Sequence, residues 1–217
     1  MARTTTPLAP RIAAPDLPGD LGEGVLRRGA HVDAALLEGL SGRVDAPHAH
    51  LVESIVRGAD VERLDLGGSS LTDVEIEDLR GVDVSFRETR WQTVRMTGGR
   101  IGTLDLSRSD LNGVELRGMR VDYLTLAGAT ASDLLLVDCT LGSLDAPQAK
   151  LSRVRFEGCR VDEVDNRDWR IEHVDLRGLE AVRYLDMAAL RGATLSERQV
   201  TALGPDFAAA AGVLIRD

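Results

Sequence analysis

Few side chains in these 217 residues stand at spacings that suit chemistry. His48, His50 and Glu53 lie close together, and two imidazoles with a carboxylate could make a zinc set. Cys139 and Cys159 are the only thiols. The only lysine is Lys150, so no Walker A loop exists, and neither a Gly-x-Ser-x-Gly elbow nor His-Glu-x-x-His occurs. Carboxylates are abundant, but they fall on a regular exposed pattern that offers no cleft to raise a pKa for acid work. No enzyme activity, cofactor or metal is expected.

The remaining chemistry is surface charge. Asp45, Asp65, Asp105, Asp145 and Asp165 recur at one fixed interval or at twice that interval, and beside them run Arg80, Arg100, Arg120 and Arg160. The formal net charge is -9, which argues against direct binding of nucleic acid through its phosphates. No apolar stretch reaches the roughly 18 residues of a membrane helix, and the start lacks an apolar signal region. A cytoplasmic location is expected, and two thiols suit a reducing compartment. Aromatic residues make up only 3 % of the chain, although rings usually supply much of a core.

The elements that position these charges follow from a repeat of five. From Ala34 to Arg183 the chain divides into thirty fives without a gap. First positions (Leu104, Ser109, Val114, Met119) and central positions (Leu106, Leu111, Leu116, Val121) carry no charge anywhere in this run. Every acidic and basic side chain falls on the other three positions. Neither the helical period of 3.6 nor the strand period of 2 produces this pattern. Two inward residues separated by one outward residue, then two outward residues, describe a short bridge and a corner. A second, longer modulation groups four fives into one coil. It puts small first residues on one side and corner glycines at Gly58, Gly98, Gly118, Gly158 and Gly178 on the next.

These fives resemble the pentapeptide-repeat family, whose loose consensus is Ala-(Asp/Asn)-Leu-x-x. Ser109-Asp110-Leu111 and Ala59-Asp60-Val61 fit it well, and the resemblance runs from Ala34 to Arg183. It departs at first positions, where Val or Leu often replaces Ala. The resemblance implies an all-β solenoid, a right-handed quadrilateral β-helix of pentapeptide repeats with a short C-terminal α-helical cap. The expected layout is an irregular Pro-rich leader (1–24), the β-helix (25–195) and the cap (196–217). A coil spacing near 4.8 Å makes the rod about 36 Å long. A narrow lumen lined by Leu, Val and Ala explains the scarcity of rings.

Several residues strain this frame. Gly81 leaves a gap in the column of Val61, Ile101 and Val121, for a nearby ring to fill. Trp91 and Trp169 must point into a widened coil or distort one. Asn166 is expected to bond coil carbonyls. Cys139 and Cys159 stand one coil apart and are expected to be stacked, buried core thiols. The frame is expected to slip by one position between Ala181 and Leu185. Ser196-Glu-Arg-Gln199 reads as a capping box opening a helix through Leu203, with a second helix from Asp206 to Ala211.

The expected function is a rigid protein-binding scaffold, with the Asp45, Asp65, Asp105, Asp145, Asp165 column as the candidate contact surface. The alternative comes from the resemblance, since some members mimic DNA in size and charge and bind DNA gyrase. The neighbouring Arg column breaks the continuous anionic face that such mimicry uses. The resemblance also implies a homodimer through the C-terminal module, with Phe207, Val213, Leu214 and Ile215 as its seam. Packing of the same residues onto the last coil explains them equally well.

Overall fold

Leu, Val and Ile at first and central positions remove apolar area from water only if successive fives turn back on one another. The computed structural model, which describes residues 6–216, shows how they do so. The chain is a parallel β-solenoid whose strands, from Ala35 onward, alternate between a 10-stranded and an 8-stranded sheet. Each regular coil supplies a longer strand, such as Ser70–Glu77, and a shorter one, such as Arg80–Ser85. Residues one coil apart pair in register: Arg100 faces Arg80 on one side and Arg120 on the other. The first and central residues of the fives form one continuous core along the rod.

Three of the four corners turn through positive φ at the fifth residue of the five. Glycine holds it at Gly58, Gly98, Gly118 and Gly158, but Asp78 and Asp138 hold the same corner without glycine. Asp tolerates this region better than most residues. The fourth corner, at 83, 103, 123, 143 and 163, has no positive φ. Gly178 does not adopt positive φ either. It is required by close approach, because a Cβ there would lie 2.1 Å from the Phe156 carbonyl oxygen.

Both ends of the frame differ from the sequence expectation. Before Arg43 the paired residues are one position closer in sequence than in later coils, as in Leu36 against Ile55 and Ser41 against Asp60. The offset lengthens to its regular value between Gly42 and Arg43. Ala35 and Leu37 are therefore the inward pair, while Leu36 is only half-buried and Ser41 is exposed. The five-residue frame hid this because apolar neighbours satisfy either phase. At the other end the register holds through Val164 against Tyr184, so no slip occurs between Ala181 and Leu185. The offset of one position arises later, across the 3-10 turn Ala188–Leu190, where Thr194 bridges Asp175.

The core absorbs its odd members locally. Trp91 is fully buried, and its ring meets Phe86 edge-on at a centroid distance of 4.8 Å, with the strand register intact on both sides. Gly81 is not filled by a ring. A Cβ there would meet Val84 at 2.6 Å and Val61 at 3.1 Å, so aliphatic neighbours close the space. Trp169 is buried and its Nε1 donates to the Ala146 carbonyl at 2.7 Å. Asn166 spans the last full coil: its amide donates to the Asp186 carbonyl and accepts from the Asp186 N–H. Cys139 and Cys159 are buried free thiols directed at backbone carbonyls.

The cap forms through the expected capping box, in which Ser196 Oγ accepts from the Gln199 N–H and Gln199 Oε1 accepts from the Ser196 N–H. The first helix is Glu197–Ala202. The second begins at Gly204 rather than Asp206, because Pro205 suits a first helical turn, and it runs to Ala210. Gln199 also donates to the Leu176 and Leu179 carbonyls at 2.7 and 2.8 Å, which latches the cap to the last coil. Among the described residues no helix is long and apolar enough to cross a membrane.

The first five residues of the leader lie outside the described residues; from residue 6 to the short strand Gly22–Glu23 it is irregular but not loose. The Arg11 N–H donates to the Asp133 carboxylate at 2.9 Å, and the Asp16 N–H donates to Asp73 at 3.2 Å. Pro7 and Pro15 are buried. Asp73 and Asp133 occupy the same corner three coils apart. Five extended residues reach about 15 Å and three coil spacings about 14 Å. The leader is thus a strap running along the rod, against the direction of coil growth.

Candidate functional site

Outward side chains form rows because the register is constant. Each row puts one position of the five from successive coils side by side, about 4.8 Å apart. At that spacing like charges repel and unlike charges pair across the strands.

The aspartate column sits on the eight-stranded sheet, where Asp45 faces Asp65 and Asp145 faces Asp165. Ser85 and Thr125 interrupt it. Most of its carboxylates serve their own corners. Asp65 accepts from the Gly67 N–H at 2.9 Å and Asp105 from the Ser107 N–H at 2.8 Å. Asp145 accepts from the Thr125 hydroxyl at 3.0 Å. Asp165 is buried and clasped by Arg167; that hydrogen bond holds its carboxyl below the usual range, against the opposing pull of burial. Only Asp45 stands exposed. Between the column's members Tyr123 is pushed up to about 12, first by burial and then by its hydrogen bond to Asp145.

On the long strands the row Glu75, Arg95, Glu115 alternates in sign. Arg95 reaches Glu115 at 2.9 Å and Glu75 at 3.4 Å, and Arg117 adds a 2.6 Å contact to Glu115. Glu115 is buried, which pushes its carboxyl up. The hydrogen bonds from Arg117 and Arg95 outweigh that, and the net position lies below the usual range. Other rows alternate likewise: Arg57 with Glu77, Arg108 with Glu88, Arg153 with Asp133.

The neighbouring row does not. Arg80, Arg100 and Arg120 stand in register on consecutive strands, all exposed. Among the described residues no carboxylate oxygen pairs with any of them, whereas Arg160, further along the row, meets Glu180 at 3.2 Å. Beside the three arginines lies an open groove of about 690 Å³ floored by Gly81, Gly99 and Gly102. A Cβ at Gly99 would sit 2.2 Å from the Leu79 carbonyl, and one at Gly102 would sit 2.7 Å from that of Val82. The floor is therefore bare backbone by necessity. The arginine row was legible from its spacing; the groove was not, because close backbone approach leaves no mark beyond the glycines themselves.

The histidines are engaged separately. His31 and His50 stack at 4.7 Å, His50 Nδ1 lies 2.8 Å from Ser70 Oγ, and His48 covers Gly68 at a positive-φ corner. Of the candidate seam residues, Phe207 packs against the core, while Val213, Leu214 and Ile215 are exposed. A cavity of about 430 Å³ separates the first cap helix from the last short strand, Leu179–Tyr184. No family model matches this chain, and no curated protein matches it.

Proposed function

We propose that this chain is a non-enzymatic pentapeptide-repeat protein that acts as a rigid scaffold for a protein partner in the cytoplasm. The observation that carries the proposal is the register of the eight-stranded sheet, which is constant from Arg43 onward. It holds outward side chains in fixed rows along the rod, and the interior is filled by the same positions that set the spacing. A partner meeting such a surface loses little to ordering it, because the side chains are already arrayed. The buried free thiols agree with a reducing compartment.

Affinity capture from cell extract followed by mass spectrometry tests the scaffold. The expected result is one or a few reproducible partners, kept by an Asp65/Asp105/Asp145→Asn variant because Asp65 and Asp105 are engaged by their own corners and Asp145 by Thr125. Loss of all partners in that variant returns the contact to the aspartate column. Inhibition of gyrase supercoiling by the purified protein replaces the scaffold with the acidic DNA mimic. The proposal includes a homodimer seam at Val213, Leu214 and Ile215, without Phe207. Light scattering on Leu214→Ser/Ile215→Ser should then report a monomer where the parent reports a dimer.

A further inference from the structure

We propose that the Arg80–Arg100–Arg120 row and the glycine-floored groove beside it bind an extended acidic segment of the partner protein. The inference rests on the scaffold function and names the chemistry its partner would present.

Three points carry it. The first is unmet charge. Arg57, Arg95 and Arg153 each meet a carboxylate one coil away, but these three stand beside one another. Stacked guanidinium groups at strand spacing repel, and an anion laid across them relieves all three at once.

The second is geometry. The outer two arginines are two strand spacings apart, about 9.6 Å. An extended peptide advances about 9.3 Å over three positions. Acidic side chains at every third position of a segment parallel to the rod therefore fall in step with Arg80 and Arg120, with Arg100 between. The protein's own leader shows that an extended segment can lie this way, since its backbone strides from Asp133 to Asp73. Gly81, Gly99 and Gly102 line the groove with backbone alone, so an incoming main chain meets no side chain at those positions.

The third is the rim. Asp60 continues the row beyond Arg80, and Asp78 and Asp122 border the groove. With the chain's net charge of -9, these carboxylates repel a long uniform polyanion. A short acidic stretch flanked by neutral or basic residues suits the groove, and a nucleic-acid strand does not.

The test uses the full chain and a short fluorescein-labelled peptide with glutamate at every third position in a serine–glycine background. Fluorescence anisotropy should show binding that weakens with added salt, and none for the same peptide with glutamine. Arg80→Gln/Arg100→Gln/Arg120→Gln should weaken it by roughly tenfold or more, and Arg100→Gln alone by roughly threefold. Arg43→Gln/Arg57→Gln/Arg108→Gln removes the same charge from paired positions and should leave binding within about twofold of the parent. Circular dichroism confirms that each variant is folded, and the single variant carries the test if the triple is not. No salt-sensitive binding, or equal loss in both triple variants, overturns the proposal. So does tighter binding of a single-stranded oligonucleotide than of the peptide, or displacement of the peptide by equimolar inorganic phosphate. If captured partners persist in the Arg80/Arg100/Arg120 variant, the scaffold stands and the groove falls; if no partner is captured at all, the scaffold itself falls.

Discussion

The row Glu75, Arg95, Glu115 and the row Arg80, Arg100, Arg120 occupy the same position of the five on adjacent sides of the same coils. Their backbones pair in the same way, and their side chains stand at the same spacing. One row alternates in sign, buries Glu115 and closes on itself through Arg95 and Arg117. The other repeats a single charge and leaves it to solvent. Since the coil imposes stacking on both, the difference lies in what each row can do without a partner. The first is complete as folded. The second becomes complete only when an anion arrives, and until then it opposes the stacking that holds it.

The comparison can be broken from the backbone first. Gly99→Ala forces a Cβ against the Leu79 carbonyl at the residue that leads into Arg100, at a φ of 92. It should destabilise the rod by more than about 3 kcal/mol in urea denaturation, the largest of the expected effects. A small effect there would mean that the groove floor can yield and that its glycines are dispensable.

Glu115→Gln tests the closed row. Arg95 and Arg117 lose their buried acceptor charge, and a loss of about 2 kcal/mol is expected, toward the low end because both arginines are partly exposed. The sign with pH follows from the lowered carboxyl. A folded value below the unfolded one, about 4.3 for Glu, stabilises fully above that value and is lost as pH falls through the folded value. The gap between parent and variant should therefore be full at neutral pH and shrink below about pH 4. A gap that widens on acidification contradicts the pairing.

Arg100→Gln gives the smallest change. Removing the central charge of the unmet row relieves repulsion, so Tm should stay level or rise by about 1 °C. Added salt should narrow that difference by screening the parent's repulsion. A clear fall in Tm would show that Arg100 makes a stabilising contact after all and would erase the contrast between the two rows.

Much of the fold was legible because burial acts on every coil alike. Leu66, Phe86 and Leu106 repeat one environment, and a charge at any of those positions would be expelled from the core. The ends were less legible, for the same reason in reverse. Around Leu36 and Leu37 two phases of the pattern bury similar area, and only the backbone register chooses between them. The arginine row could be read from spacing alone. Which rows are neutralised could not, since Arg117 closes Glu115 from along its own strand rather than from the next coil. The positions that hold the leader were equally hidden, because Asp73 and Asp133 look like any other outward aspartate.

The leader has a consequence for how the chain comes to be folded. Coils that touch only their neighbours keep contact order low, and such an array can assemble stepwise and fray from either end. The bond from Arg11 to Asp133 instead joins groups far apart in sequence, with about five coils between them. The leader is synthesised before the coils, yet it docks only after the coil bearing Asp133 exists, and it must remain unengaged while the intervening coils form. Once docked, it closes a loop around them, so the early coils cannot peel away unless the strap lets go first. A modular stack thereby gains the cooperativity of a single unit.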